Sequence, residues 1–164
     1  MCIAAANYII NAANQYNEGK SLREKIFLSS KRLQKLLFFS DVLYMVENHG
    51  ESMFHDEFYA WPSGPVIPSV YREFMQYQDG DMKPHNDSHH TPTTPEMESV
   101  ISRVLEDTNN LDTIDLIRRS HEVGSPWEVV FDENDAEFNR IIDKTAIFNY
   151  YSEHGAPYGN RANL

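Results

Sequence analysis

The chain has 164 residues, of which 25 are acidic and 14 basic, giving a net charge of -11. This length fits one ordinary domain with a sizeable core, and 41% hydrophobic with 24% charged residues excludes an intrinsically disordered chain. No apolar run approaches the ~18 residues that a membrane helix needs. The single cysteine, Cys2, excludes an internal disulfide and a cysteine-rich zinc module, so we expect a protein of the reducing cytoplasm.

The charge is unevenly distributed along the chain. Residues 20–35 carry six basic residues against Glu24 alone, a net charge of +5, while all other residues together carry -16. Two interpretations stay open for this basic segment: a partner-binding surface, or a solvated helix start that nearby acids balance in three dimensions. A strongly acidic chain repels phosphate backbones, and no recognition-helix pattern accompanies the segment, so the sequence argues against nucleic acid as a partner.

Two helices are predicted in the N-terminal third. Apolar residues recur at helical spacing from Ile3 to Tyr16, and Gly19 ends that segment. From Lys31 to Asn48 the pattern is helical and apolar nearly all round, which is typical of a central, buried helix that ends at Gly50. Candidate N-caps for it are the serines Ser21, Ser29 and Ser30.

The middle of the chain predicts a small β element followed by helices. Residues 53–61 are short and aromatic, and Pro62–Pro65 forms a rigid turn, so we expect an extended segment or a small hairpin. A helix follows Pro68 and ends at residues 79–81. We expect a mobile loop over about 80–95, because it holds several His and Pro residues and almost no apolar ones.

Three helical segments are predicted in the C-terminal half. One helix starts near Pro95, Asp112 can cap a shorter one, and Ser120–Trp127 reads as a compact turn. An acidic loop precedes a last helix that Asp143 can cap and Gly155 ends. We therefore predict a mainly α fold with a small hairpin or strand pair, forming one domain over 1–155, with a flexible tail over 156–164.

Motifs for catalysis are missing. The sequence has no nucleophile elbow, His-Glu-x-x-His motif, phosphate-binding loop or dinucleotide fingerprint. Cys2 has no evident His partner. The candidate metal ligands His85, Asp87, His89 and His90 follow no recognised spacing, so we interpret them as an exposed loop and expect no metal and no cofactor.

A few residues have more than one interpretation. His121 can fix a turn through a backbone hydrogen bond while Trp127 fills the core, or it can act as a general base. Lys35, inside the most apolar helix, needs an acidic partner within the fold or a contact with another protein. Trp61, Tyr71 and Trp127 are core residues if buried and interface anchors if exposed.

Four blocks of sequence, taken together, resemble the Panacea domain family of SocA-like or GepA-like phage-associated proteins. They are Ala5-Ala-Asn-Tyr-Ile-Ile10, Arg32-Leu-Gln-Lys-Leu-Leu-Phe-Phe39, Glu57-Phe-Tyr-Ala-Trp-Pro-Ser-Gly-Pro-Val66 running into Pro68 and Tyr71, and Ser120-His-Glu-Val-Gly-Ser-Pro-Trp127. Their order and spacing are similar to the family pattern over roughly residues 4–130. Residues that the resemblance marks as partner-binding or as family motif are Lys35, Trp61, Gly64, Pro65, Val66, Tyr71, His121, Pro126 and Trp127.

The resemblance implies a mostly helical antitoxin of a type II toxin–antitoxin pair, which neutralises a cognate protein toxin by direct contact. We expect a non-enzymatic protein that occludes its toxin through a surface around the Trp61–Tyr71 turn, without a membrane partner and in an oligomeric state that stays open. Two alternatives remain: an adaptor that delivers a bound partner to a protease through the tail Gly155–Leu164, and a hydrolase that uses His121 with Asp115 or a loop metal.

Overall fold

A computed structural model describes residues 2–85 and 91–158. In chain order its elements are α1 (Cys2–Asn17), α2 (Ser30–Glu47), β1 (Phe58–Trp61), β2 (Gly64–Val66), α3 (Pro68–Phe74), α4 (Pro95–Thr108), α5 (Thr113–Ser120), α6 (Pro126–Val130), β3 (Ile141–Ile142) and α7 (Lys144–His154). The predicted mainly α fold with a small β element is confirmed. No helix in the described ranges combines the length and apolar character needed to cross a bilayer.

Helix α2 is the centre of the fold. Every residue from Arg32 to Val42 is buried, and α1, α3, α4, α5, α7 and β2 all pack against this helix. An α-helix exposes residues on one side unless it is surrounded, so a continuously buried stretch requires neighbours on all sides. The prediction of a central helix from its apolar pattern is therefore confirmed.

Polar residues of α2 are buried together with the apolar ones, and several of them fix a segment that packs on the helix. Arg32 donates to the carbonyl oxygens of Leu111 at 2.7 Å and Thr108 at 3.2 Å, where α4 passes into α5. Asp41 accepts a 2.6 Å hydrogen bond from the backbone N–H of Met53, in the loop before β1. Burial raises the pKa of Asp41 to about 6. The central helix thus positions the surrounding loops as well as the core.

Side-chain caps start the helices where the sequence predicts them. Ser29 is the N-cap of α2, and it accepts from the backbone N–H of Arg32. Asp112 forms a capping box with Asp115 at the start of α5, and Asp143 caps α7. Such caps satisfy backbone N–H groups that have no partner within the helix. Gly155, at a φ of 78°, ends α7 as predicted.

The sheet is antiparallel with the strand order β2-β1-β3. Trp61 pairs with Gly64 and Tyr59 with Val66, so Pro62 and Ser63 form the two-residue turn of a hairpin. The predicted hairpin is confirmed, and β3 extends it into a sheet of three strands. Strand β3 was not predicted, because its two residues, Ile141 and Ile142, are too few to show an alternating pattern.

Some predicted boundaries differ from the structure. Helix α3 ends at Phe74, before residues 79–81, and the Ser120–Trp127 turn passes directly into the short helix α6. Within the predicted loop 80–95, the backbone N–H of His85 donates to Asn7 Oδ1 at 2.7 Å, while Asp87, His89 and His90 lie outside the described residues. At the start of the predicted tail, Tyr158 is buried and its ring lies 5.6 Å from that of Phe39. The single domain over 1–155 stays a prediction.

Candidate functional site

Residues from separate blocks of the sequence meet around one buried lysine. The side chain of Lys35 is fully buried (0% exposed) in α2. Its Nζ donates a 2.8 Å hydrogen bond to the carbonyl oxygen of Pro65 on β2. The prediction of an acidic partner for Lys35 is wrong, because a backbone carbonyl holds the ammonium instead. Such a carbonyl can hold the side chain whether it is charged or neutral, since the ammonium and the amine both donate an N–H hydrogen bond to it.

The neighbouring residue Gln34 holds the same strand. Its Oε1 accepts a 2.8 Å hydrogen bond from the backbone N–H of Ile67, just after β2. Since β2 is an outer strand, backbone groups on its free side need partners from elsewhere in the protein. Lys35 and Gln34 together supply them and dock the hairpin on α2. The role of Gln34 was not predicted from the sequence. The feature that could have indicated it is a second polar residue next to Lys35 within an otherwise apolar turn of the predicted helix.

Gly64 allows this close approach of hairpin and helix. Its φ is +97°, a conformation that other residues rarely adopt. A Cβ at this position would lie 2.5 Å from Ser120 Oγ and 2.8 Å from Lys35 Cε. The third block of sequence therefore touches both the second and the fourth at this glycine. Only a residue without a side chain fits between them.

Trp127 ties the fourth block to the hairpin. Its Nε1 donates a 2.8 Å hydrogen bond to the carbonyl oxygen of Trp61, and its indole is stacked between two rings. The His121 ring lies at 3.6 Å with an interplanar angle of 4°, and the Phe131 ring at 4.6 Å with 17°. Trp127 belongs to α6, which starts with Pro126.

A local signal for α6 was present in the sequence. Ser125 is its N-cap and accepts from the backbone N–H of Glu128 at 3.3 Å. The Glu128 carboxylate in turn accepts a 2.8 Å hydrogen bond from the backbone N–H of Gly124. The stretch Ser125-Pro-Trp-Glu128 has the Ser-x-x-Glu spacing of a capping box with Pro at the first helical position. That spacing predicts a helix start, which the interpretation as a plain turn overlooked.

His121 is held by stacking rather than by the expected backbone hydrogen bond. Its Nε2 is buried and has no hydrogen-bond partner among the described residues. Burial, with a smaller contribution from the charge of Lys35, lowers the pKa of His121 to about 4. Burial, with a smaller contribution from Lys31, lowers the pKa of Lys35 to about 7. Burial and the charge of Lys35 both oppose protonation of His121, so the imidazole is neutral near neutral pH.

Trp61 and Tyr71 form the rim of this region. Their rings meet edge to face at a centroid distance of 5.1 Å, and both residues are partly exposed. Val123, four residues before Trp127, is 90% exposed, and Val129, two residues after it, is 73% exposed. We call the five residues Trp61, Pro62, Tyr71, Val123 and Val129 the hairpin face. These apolar residues reach the surface from the hairpin, from α3 and from the segments on either side of Trp127, which the Trp61–Tyr71 ring contact and the Trp127 hydrogen bond connect.

The residues marked by the resemblance therefore divide into two groups. Lys35, Gly64, Pro65, Val66, Pro126 and Trp127 are buried, while Trp61, Tyr71 and His121 are partly exposed. The buried group joins α2, the hairpin and the α5–α6 turn into one unit. Of the aromatic residues with two interpretations, Trp127 is a core residue and Trp61 and Tyr71 lie between core and surface.

The described residues give little support to the alternative of a hydrolase that uses His121 with Asp115 or a metal. Asp115 accepts from the backbone N–H of Asp112 at 3.4 Å and from Arg118 at 3.2 Å, so its carboxylate serves the start of α5. An imidazole with a pKa of about 4 is a weak general base at neutral pH. Among the described residues no three His, Cys, Asp or Glu side chains are grouped closely enough to hold a metal ion.

Comparison with known proteins gives two matches. The profile of the family described as "Antitoxin SocA-like, Panacea domain" matches residues 33–128. This range includes Lys35, the hairpin and the turn up to Trp127, and leaves out the first of the four blocks. The protein named "Antitoxin SocA" from Caulobacter vibrioides (strain NA1000 / CB15N) is 30% identical over 113 residues, covering 63% of this chain and 60% of that protein. The chain thus spans about three fifths of the relative's length. No solved structure matches.

Proposed function

The chain belongs to the SocA-like antitoxin family with the Panacea domain, and from this premise we propose that it is the antitoxin of a type II toxin–antitoxin pair. It binds a cognate protein toxin directly and covers the toxin's active groove. We place this encounter in the cytoplasm, in keeping with a chain that has a single cysteine. The observation that carries the proposal is the match of the family profile to residues 33–128, which include every residue of the hairpin face except Val129.

The hairpin face is the surface that we assign to the toxin. Val123 and Val129 expose aliphatic side chains, and Trp61 and Tyr71 offer large rings that are partly buried already. Rigid aromatic residues lose little conformational entropy when they enter an interface, which favours them as anchors. The hydrogen bonds from Lys35 and Trp127 fix the backbone of the hairpin before any partner arrives. An interface of standard size, about 1,600 Å², is large enough to cover an active groove.

The residues of the hairpin face suit inhibition of the toxin by binding rather than by a catalysed reaction. Two titratable groups of the site, Lys35 and His121, are buried or stacked and serve to hold the hairpin and the turn. A net charge of -11 also favours basic partners, including toxins that act on RNA or on the ribosome.

The experiment is co-expression of the chain with the toxin candidates encoded beside its gene. We expect one neighbour to arrest growth alone, to be harmless in the presence of this chain, and to co-purify with it in a fixed ratio. Val123→Glu and Val129→Glu together place two charges on the hairpin face and should abolish both rescue and co-purification. Ile114→Glu on α5 is the matched control, because Ile114 is also an exposed apolar residue.

Circular dichroism of each variant separates loss of binding from loss of folding. Rescue by the Ile114→Glu variant together with failure of the double variant supports the assigned surface. Equal rescue by both variants would show that the toxin binds elsewhere. Failure of every neighbouring gene product to co-purify would contradict the proposed function itself.

A further inference from the structure

The basic segment 20–35 divides into an inner and an outer part in the folded chain. Arg32 and Lys35 are buried, and both are bonded to backbone carbonyls. Lys20, Arg23 and Lys25 lie instead on the linker between α1 and α2, where none of them forms an ion pair with a described residue. Lys20 Nζ lies 4.2 Å from the centre of the Tyr16 ring, whereas Arg23 and Lys25 have no ion pair or ring contact among the described residues.

The acids near this linker are engaged in local hydrogen bonds. Glu24 accepts from the hydroxyl of Ser21 at 2.5 Å and from its backbone N–H at 3.2 Å. Asp112 accepts a 2.7 Å hydrogen bond from the backbone N–H of Asp115 as the cap of α5. These contacts engage both carboxylates, although Asp112 lines the same cleft as Arg23 and Lys25. Arg23 and Lys25 are therefore available to the solvent or to a partner, while Lys20 also contacts the Tyr16 ring.

Large apolar side chains are exposed among the same cations. Leu22 is 74% exposed and Phe27 is 47% exposed. Three clefts of about 170, 210 and 350 Å³ adjoin the linker, and Ile26 lines all of them. Lys25 and Phe27 line the two larger clefts. We call Lys20, Leu22, Arg23, Lys25 and Phe27 the linker patch.

We propose that the linker patch binds an acidic segment of a partner protein that carries large apolar side chains. The carboxylates of such a segment meet Lys20, Arg23 and Lys25, and its apolar side chains enter the clefts beside Phe27 and Ile26. Charge complementarity steers the encounter and sets its specificity, while the apolar contacts supply most of the affinity.

A protein segment fits this patch better than a nucleic acid does. All residues outside 20–35 sum to a charge of -16, which repels an extended phosphate backbone on either side of the patch. The exposed Leu22 and the clefts suit aliphatic and aromatic side chains rather than phosphates. The linker also precedes the residues matched by the family profile, so the proposal does not depend on the proposed function.

Defined probes test the proposal on the full chain by fluorescence anisotropy. The first is a short labelled peptide in which Glu alternates with Leu and Phe; the second replaces the apolar residues by Ser, and the third replaces Glu by Lys. A labelled single-stranded DNA is the fourth probe. We expect the first peptide to bind at least about tenfold more tightly than the other three, and its affinity to fall as salt is added.

Two variants of the linker and one control locate the binding. The variant Arg23→Glu with Lys25→Glu and the variant Phe27→Ser should each weaken the first peptide by about tenfold. Arg72→Glu with Lys83→Glu makes the same change in net charge at exposed residues outside the linker and should leave binding unchanged. The proposal is overturned if the first peptide does not bind, if the control weakens it equally, or if only the DNA binds.

Discussion

Lys35 Nζ and the carbonyl oxygen of Pro65 lie 2.8 Å apart, although 30 positions separate the two residues in the chain. This hydrogen bond joins the most buried helix to the outer strand of the sheet. Gln34 adds a second bond to the same strand at Ile67. The two polar side chains of α2 thus supply hydrogen-bond partners to backbone groups on the free edge of the strand. These hydrogen bonds hold the backbone of the hairpin in a fixed position on α2, and with it the partly exposed Trp61.

Gly64→Ala tests how closely the hairpin and α2 must approach. We expect a loss of stability of about 1 kcal/mol from the positive φ and about 1–3 kcal/mol more from the contacts with Ser120 and Lys35. Gly124→Ala is the control, because Gly124 also has a positive φ of +78° but nothing lies within 4 Å of its added Cβ. Urea unfolding followed by tryptophan fluorescence measures both. Equal losses in the two variants would refute the close approach.

Trp127→Phe removes the hydrogen bond to the carbonyl oxygen of Trp61 and keeps an aromatic ring beside His121. We expect a loss of about 1–3 kcal/mol, measured by urea unfolding with circular dichroism. Trp61→Phe serves for comparison, because the backbone carbonyl that accepts the bond remains. A smaller effect of Trp127→Phe than of Trp61→Phe would show that the bond contributes little.

Lys35→Met tests the burial of the ammonium group through pH. Burial lowers the pKa of Lys35 from 10.5 to about 7, so between these values the unfolded chain binds the extra proton. The stability of the natural chain should therefore rise, relative to Lys35→Met, as the pH increases from 7 towards 10.5. Lys31→Met, which removes an exposed lysine one turn away, should show a much smaller difference, because Lys31 makes only the lesser contribution to the lowered pKa of Lys35. Parallel curves for the natural chain and Lys35→Met would contradict the prediction.

His121→Phe tests the stacked imidazole in the acidic range. Burial lowers the pKa of His121 from 6.5 to about 4, so here too the unfolded chain binds the proton first. The natural chain should lose stability relative to His121→Phe as the pH falls from 6.5 to 4, because Phe keeps the stacking on Trp127 without titrating. Thermal unfolding at several pH values measures this difference, and a pH-independent difference would rule out the buried imidazole.

The sequence predicts those elements whose signals are local. Helix α2 carries an apolar pattern over its whole length, and Asp112 and Asp143 stand at helix starts, so these were found. The hairpin was found because Pro62 and Gly64 mark a turn after aromatic residues. Strand β3 depends on pairing with Phe58 and Tyr59, more than 80 positions away, and its own two residues carry no periodic signal.

The site was predicted as a set of residues but not as an arrangement. Lys35, Gly64 and Trp127 were singled out, yet an acid was expected beside Lys35, and the structure supplies the Pro65 carbonyl. Nearly every residue has a backbone N–H and C=O group, so the sequence does not indicate which of these groups will accept a hydrogen bond from a given side chain or donate one to it. The same holds for Gln34, whose partner is the N–H of Ile67, and for the indole of Trp127, which bonds the carbonyl of Trp61.

The most direct test of the account is to titrate the activity of the purified toxin partner with this chain. Binding and occlusion predict that activity falls linearly and ends at a fixed stoichiometric ratio, and that the toxin regains activity when the complex is dissociated. The Val123→Glu, Val129→Glu variant should leave the toxin active at the same ratio. Lasting inactivation of the toxin by a small fraction of an equivalent would mean that the chain acts as an enzyme, and would contradict the account.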